Sequence, residues 1–160
     1  MGVEIEQNLL FDVTLHAATV LSTIVVLWSE VARLLRGLFS RRFNEEQAYV
    51  LKLLLSMIPI GIVGFTLKDR LDALLESPAI LLVVGCMLLV TAALLAFAYY
   101  AKPRQKAQLS YRDAFLIGVA QAVAALPGLS RSGSTIATGL LLGNRKQTVA
   151  QFSFLMVLAP

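Results

Sequence analysis

The sequence predicts an all-α, polytopic integral membrane helical bundle that contains a re-entrant helical hairpin. Of its 160 residues, 58% are hydrophobic and only 15% are charged, whereas soluble domains carry about 25% charged residues. Long apolar runs recur along the chain, and one of them, 77–101, has 25 residues without a charge, more than the roughly 20 that cross a bilayer. One later run is interrupted by Pro127, Gly128 and Arg131. Because a proline inside a helix costs about 3 kcal/mol, this run is expected to form two short legs.

Three segments, about 9–35, 47–67 and 77–101, are predicted to span the membrane. The first has no charge between His16 and Glu30, and the third is uncharged throughout and ends at Tyr99 and Tyr100. Tyrosine is enriched at membrane interfaces. The start of a further helix is expected at 147–160. The whole of 1–160 is expected to be one incomplete membrane domain, a fragment, since Pro160 closes an apolar run.

The basic residues predict the orientation of these segments. Loop two carries Lys68 and Arg70 beside three carboxylates. Loops one and three are more basic, so the positive-inside rule places them in the cytoplasm. Because these charges flank apolar runs, we expect membrane lipid and no nucleic acid as a partner. The basic residues of loops one and three are Arg33, Arg36, Arg41, Arg42, Lys102, Arg104, Lys106 and Arg112.

The interrupted run is predicted to be a re-entrant hairpin over about 113–143. Its legs, about Asp113–Leu126 and Ser134–Gly143, are too short for a hydrocarbon core of roughly 30 Å. Both ends would therefore return to the cytoplasmic side. The tip, with the sequence PGLSRSGS, would lie at membrane depth, where irregular backbone persists only beside protein or a wet cavity.

The tip has the composition of an anion site. Arg131 is predicted to be a buried charge that binds phosphate, because its planar guanidinium group matches phosphate oxygens. Glycines allow backbone amides to approach a ligand. The second leg would direct its free N–H groups at the same point, with Ser132 or Ser134 as its cap. The other candidate ligands are Ser130, Thr135, Gly128 and Gly133.

Several alternatives remain open at this point. Arg131 could instead pair with a carboxylate, for which Asp12 is the candidate in the membrane segments. Gln121 is equally a pocket residue or a structural hydrogen-bonding residue. His16 is interpreted as a packing or interface residue, and Cys86 as a small buried one. A membrane transporter or flippase for an anionic lipid or phosphate could use the same broken-helix site without hydrolysis.

The stretch PGLSRSGSTIATGLLLG resembles the signature of the undecaprenyl-diphosphate phosphatase family, bacterial enzymes linked to bacitracin resistance. The segments FDVTLHAAT and YRDAF, and FSFL after the signature, are similar to that family too, in the same order. The resemblance implies a multi-pass enzyme of the bacterial inner membrane, with its active site facing outward. That enzyme removes the terminal phosphate of undecaprenyl diphosphate and so recycles the lipid carrier for peptidoglycan synthesis.

The resemblance also implies roles for individual residues. Arg131 would clamp the diphosphate, with Ser130, Ser132 and Thr135 as further catalytic residues. A divalent cation, Mg²⁺ or Ca²⁺, is implied, but its ligands are not expected in this chain, whose sequence has no metal-ligand cluster. A polyprenyl diphosphate is the implied substrate, and a homodimer is possible. The implied substrate-binding residues are Arg131, Gly128, Gly133, Ser134 and Gln121.

One part of the family pattern has no counterpart here. The family has an N-terminal motif rich in glutamate that ends in Ser-Ser-x-Gly-His, and residues 1–7 do not resemble it. His16 belongs to the helix after that motif and is not its substitute. On their own, residues 1–160 are therefore expected to lack phosphatase activity.

Overall fold

The computed structural model describes residues 2–39, 44–102 and 106–158, with side chains up to residue 39 limited to 11 and 13–39. The all-α prediction is confirmed, since these residues form helices and no strand. Arg41, Arg42, Arg104 and the side chain of Asp12 lie outside the described part. The helices are α1 Gly2–Val26, α2 Trp28–Leu38, α3 Glu45–Thr66, α4 Lys68–Leu75, α5 Ile80–Tyr100, α6 Tyr111–Val123, α7 Arg131–Leu141 and α8 Lys146–Met156.

Among the described residues, α3 and α5 are long and apolar enough to cross a membrane. The helix α5 lies inside the expected segment 77–101, whereas α3 begins two residues before the expected segment 47–67 and ends one residue before its end. The helix α3 begins at Asn44, whose side-chain oxygen accepts a hydrogen bond from the Gln47 amide at 2.9 Å. No residue of α5 is buried. An uncharged helix with so little covered surface is suited to contact with lipid on its exposed side.

The first expected span, about 9–35, is not one straight helix. The axes of Val13–Val26 and Trp28–Leu38 differ by 83°. Charged residues recur in α2, where Glu30 and Arg33 form an ion pair at 2.6 Å. A helix with this charged face cannot continue through lipid. It packs instead against α3 through its buried Leu34.

The predicted hairpin consists of α6 and α7, which pack against each other. Its second leg begins at Arg131, three residues earlier than expected, and its first ends at Val123. The two ends of the hairpin meet, since Lys106 and Asn144 form an isolated bridge in which the Arg145 amide donates to the Lys106 carbonyl at 3.0 Å. The chain therefore returns to the place where the hairpin began.

A buried polar network joins the two ends of the hairpin, which form its base. Asp113, 4% exposed, accepts hydrogen bonds from the ammonium group of Lys106, the Ser110 amide and the Asn144 side chain. The Ser110 hydroxyl caps α6 in return by accepting from the Asp113 amide. Burial raises the pKa of Asp113, but these hydrogen bonds lower it by more, so the pKa lies below its ordinary value. The first turn of the hairpin is thereby held to its last loop.

The contacts of the hairpin with α5 show how far it extends along that helix. At the base, Lys146 Nζ donates to the Tyr99 carbonyl at 3.0 Å, near the C-terminal end of α5. At the tip, Gly128 lies against Val84 and bonds to Thr91. Thr91 lies nine residues before Tyr100, which at 1.5 Å per residue is about 13 Å along the helix. The tip therefore reaches the middle and the far half of a spanning helix.

Close backbone packing fixes α6 beside α3. A Cβ atom added at Gly118 would lie 2.3 Å from the Ser56 carbonyl oxygen, and Ser56 is fully buried. On another side, Ile117 joins Phe152 and Met156 of α8 in the hydrophobic core cluster. The hairpin is thus held between α3, α5 and α8.

Candidate functional site

The tip turns at Gly128, which adopts a left-handed conformation with φ of +88°. This conformation disfavours any residue with a Cβ atom. A Cβ atom at Gly128 would also lie 2.8 Å from the Val84 carbonyl oxygen and 3.2 Å from Met87 Cβ. Both the turn and the close approach to α5 therefore require glycine. The sequence-based role of Gly128 in binding an anion remains a prediction beside this structural one.

We expect Gly128→Ala to destabilise the hairpin by more than the about 1–2 kcal/mol that a left-handed conformation costs, because the methyl group also meets α5. Two matched variants separate the causes. Gly143 has φ of +87° but open space around it, so Gly143→Ala carries the conformational cost alone. Gly85 lies on α5 with open space, and Gly85→Ala carries neither cost. Melting temperatures in detergent should rank Gly85→Ala highest and Gly128→Ala lowest; any other order contradicts the close approach.

The hydroxyl group of Ser130, not of Ser132 or Ser134, caps α7. Ser130 Oγ accepts a hydrogen bond from the Gly133 amide at 3.1 Å, which corrects the prediction for the start of this helix. The physical reason is that Pro127 and Gly128 finish the turn early, so the helix begins at Arg131. Within the described residues, the amides of Arg131 and Ser132 have no hydrogen-bond acceptor. Two free N–H groups and the positive end of the helix dipole therefore lie at the tip.

The prediction that Arg131 is buried is wrong for the described residues, because its side chain is exposed. It opens onto a cavity of about 730 Å³ between α1, α7 and α8, which Ser132 and Ser153 also line. Small-molecule sites commonly measure about 300–1,000 Å³. Arg131 makes no ion pair within the described part of the chain. The alternative that Arg131 forms a structural ion pair with a carboxylate therefore has no partner among the described residues. The guanidinium group faces open space.

Polar residues of α1 form the opposite wall of this cavity. His16 is exposed and belongs to this wall, although the sequence indicates a packing or interface residue. The hydroxyls of Thr19 and Thr23 donate to the carbonyls of Leu15 and Thr19 at 2.9 Å each. Their oxygens keep the capacity to accept further hydrogen bonds. Because phosphate oxygens accept hydrogen bonds, the fit of this cavity to an anionic ligand rests on Arg131 and not on these two hydroxyls.

Ser134 and Thr135, predicted as ligands, are both buried. Ser134 Oγ donates to the Ser130 carbonyl at 2.9 Å. Thr135 Oγ1 lies 2.6 Å from Ser153 Oγ of α8, and both residues are buried. Neither Ser134 nor Thr135 lines the cavity with Arg131. Their hydroxyls are suited to holding the start of α7 in place, and their predicted roles remain untested.

Gln121 is buried inside α6, and its Oε1 atom has no hydrogen-bond partner in the described residues. It does not line the cavity with Arg131. Gly133, also buried, follows the helix start and lies near the Ser130 side chain. The structure therefore brings Arg131, Ser130 and Ser132 together at the tip and leaves Gln121 apart from them.

Two residues at the tip are absent from the sequence-based prediction. Ser153 arrives from α8, and nothing in its local sequence indicates contact with Thr135. Thr91 lies on α5, donates to the Gly128 carbonyl at 3.0 Å and accepts from the Ser130 amide at 2.9 Å. A signal for Thr91 does exist, because it is the only serine or threonine in an otherwise apolar helix. Cys86, predicted to be buried, is exposed on the same helix.

A metal site needs several suitable side chains in one place. The described residues contain no group of three or more His, Cys, Asp or Glu side chains able to hold a metal ion. Divalent hard cations bind oxygen ligands, usually several of them from carboxylates. The described part of the chain does not fit a protein-bound cation by itself.

The sequence matches known proteins along its whole length. Residues 1–160 match the family model described as bacitracin resistance protein BacA. A protein of Parabacteroides distasonis is 63% identical over 99% of this chain and 59% of its own length. One from Bacteroides fragilis is 62% identical with the same coverage, and one from Bacteroides thetaiotaomicron is 58% identical over 99% of this chain and 60% of its own length. All three are named undecaprenyl-diphosphatase. The chain thus spans about three fifths of their length.

Proposed function

The chain belongs to the BacA family of bacitracin resistance proteins, and on this basis we propose that its gene product hydrolyses undecaprenyl diphosphate to undecaprenyl phosphate and inorganic phosphate. The observation that carries the proposal is Arg131, exposed at the start of α7 on a cavity of about 730 Å³. The names of the similar proteins support the same reaction. The chain is an integral membrane protein, and a lipid substrate suits it.

In the proposed reaction, water oxygen forms a bond to the terminal phosphorus and loses a proton to solvent, while the bond to the bridging oxygen breaks. Negative charge grows on the bridging oxygen as it leaves with the lipid phosphate. Arg131 would hold the terminal phosphate by two parallel hydrogen bonds. The free amides of Arg131 and Ser132 and the Ser132 hydroxyl would donate to the remaining oxygens. These groups stabilise charge and position the substrate, which supply most of the catalysis in phosphoryl transfer.

We further propose a bacterial inner-membrane location with the site open to the outside. The tip lies beside Thr91 at the middle of α5 and beside Val84 in the half of α5 nearer to loop two. Charge counting puts loop two outside. A diphosphate whose lipid tail stays in the outer leaflet would then reach Arg131 from that side. A homodimer remains possible in this arrangement.

A divalent cation, Mg²⁺ or Ca²⁺, is part of the proposal because a diphosphate carries several negative charges. When bound it would neutralise phosphate oxygens. Since the described residues do not form a site for it, its protein ligands would come from elsewhere in the gene product. Arg131 and the α7 amides are assigned their roles independently of that cation.

The proposal is tested by measuring phosphate release from undecaprenyl diphosphate with the purified full gene product in detergent. We expect release that requires Mg²⁺ or Ca²⁺ and stops when a chelator is added. Undecaprenyl phosphate, which lacks the anhydride bond, should release nothing. Absence of release, together with movement of the lipid diphosphate across reconstituted vesicles, would instead support the transport alternative.

The proposed orientation of the chain in the membrane is tested with single-cysteine variants in a Cys86→Ala background. We expect an impermeant maleimide to label Asp69→Cys in intact cells and to label Gln108→Cys only after the membrane is opened. Gln108 is preferred to Lys106 because it is exposed, whereas Lys106 bonds to buried Asp113. Labelling of residue 108 in intact cells contradicts the proposed orientation.

A further inference from the structure

The tip of the hairpin depends on one side chain from outside it. The segment from Leu126 to Ser130, with Gly128 at its centre, is not helical. Its backbone groups lie beside the middle of α5, where a bilayer would offer no water to satisfy them. An unsatisfied backbone group at such a position costs free energy comparable with a lost hydrogen bond.

Thr91 satisfies two of these groups with a single hydroxyl. Its Oγ1 donates to the Gly128 carbonyl at 3.0 Å and accepts from the Ser130 amide at 2.9 Å. A hydroxyl is the smallest side-chain group that can donate and accept together. The two bonds join both sides of the left-handed turn to the same point on α5.

The second of these bonds acts next to the proposed phosphate clamp. Ser130 is the cap of α7, and Arg131 is the first residue of that helix. Two hydrogen bonds fix this capping residue. The Ser130 amide donates to the Thr91 hydroxyl, and the Ser130 hydroxyl accepts from the Gly133 amide. A shift of Ser130 would therefore shift the origin of the Arg131 side chain and the free amides together.

We propose that Thr91 is a positioning residue, which holds the tip so that Arg131 and the first amides of α7 meet the diphosphate in one geometry. The inference rests on the proposed function for its catalytic consequence. Thr91 does not line the cavity with Arg131, and its single hydroxyl proton is donated to the Gly128 carbonyl, so it has no donor for a phosphate oxygen. Its effect on the reaction passes through Ser130.

The test compares three variants of the full gene product. Thr91→Val keeps the shape of the side chain and removes both hydrogen bonds, and Thr91→Ser restores the hydroxyl. Thr66→Val is the matched control, because the Thr66 hydroxyl donates only within its own helix, to the Ile62 carbonyl at 2.7 Å. Amide hydrogen exchange of peptides covering 127–133 and phosphatase kinetics are measured on each.

We expect Thr91→Val to speed exchange in 127–133 by about tenfold or more, since each lost hydrogen bond contributes about 1 kcal/mol. Peptides from α6 and α7 outside the tip should keep their protection. Its kcat should fall about 10-fold to 100-fold, as expected for a clamp misplaced by about 1 Å, with a smaller change in KM. Thr91→Ser and Thr66→Val should behave like the parent protein.

Two outcomes overturn the inference: exchange in 127–133 that Thr91→Val leaves unchanged, or a loss of protection spread equally over α6 and α7. The second would indicate a general structural role. Failure of the proposed function is recognised separately, since the parent protein would then release no phosphate while the exchange comparison still tests Thr91. A parent protein that is active, with a Thr91→Val variant that exchanges faster in 127–133 but keeps the kcat of the parent, overturns the positioning role alone.

Discussion

Arg131→Ala is expected to lower kcat/KM of the full gene product by about 10³–10⁵, the range that an arginine contact contributes in phosphoryl transfer. The reason is that Arg131 faces the cavity as an unpaired cation among the described residues. Arg131→Lys should recover only a small part of the activity, because an ammonium group cannot form two parallel hydrogen bonds to one phosphate. Phosphate release at saturating and limiting substrate concentrations measures both variants.

The control for this experiment is Arg112→Ala, which removes an exposed arginine from the first turn of α6. It should retain the activity and the melting temperature of the parent protein. If Arg131 serves only as a structural counter-charge, Arg131→Ala should lower the melting temperature as a broken buried pair does. Normal turnover in a folded Arg131→Lys protein would end the assignment of Arg131 as a phosphate clamp.

Gly118→Ala is expected to cause the largest loss of stability among single-methyl additions, about 3 kcal/mol or more on the scale of overpacked cores. The new Cβ atom would lie 2.3 Å from the carbonyl oxygen and 2.8 Å from the Cα atom of Ser56. Both are backbone atoms of α3, so no side-chain rotation can relieve the overlap. Helices α3 and α6 would have to separate, and thermal unfolding in detergent measures the cost.

Gly64→Ala is the matched control on α3, because no atom lies within 4 Å of its added Cβ atom. Alanine in a helix is favoured over glycine by about 0.5–1 kcal/mol, so this variant should be at least as stable as the parent. Equal melting temperatures for Gly118→Ala and Gly64→Ala would contradict the close contact of α3 with α6.

Sequence and structure lie closest together in the elements whose signal is local. The helix α5, Ile80–Tyr100, lies inside the uncharged run 77–101, and α3, Glu45–Thr66, overlaps all but the last residue of 47–67. The break at Pro127-Gly128 divides α6 from α7 because proline and a left-handed glycine act on the backbone directly. The bend after Val26 was missed, since no proline or glycine marks it and the charged face of α2 follows only after Leu27.

The candidate site was predicted in composition but not in arrangement. Serine, threonine and arginine clustered at one tip indicated an anion site, and Arg131 with Ser132 does line a cavity. The same pattern could not separate Ser132 from Thr135, although these hydroxyls face different surroundings. Successive helical residues point in different directions around the axis, so the position of α8 decides which hydroxyl is covered.

By itself the sequence determined that this protein is helical, that it belongs in a membrane and that Arg131 lies at a break between two helical segments. The reason is that composition, periodicity and backbone restrictions are properties of short stretches of chain. Only the tertiary structure decided that Thr91 meets Gly128 and Ser130, that Ser153 covers Thr135 and that His16 lines the cavity with Arg131. These pairs are far apart in the sequence. Their contact depends on how α1, α5 and α8 pack around the hairpin, which is a property of the whole bundle and not of any one segment.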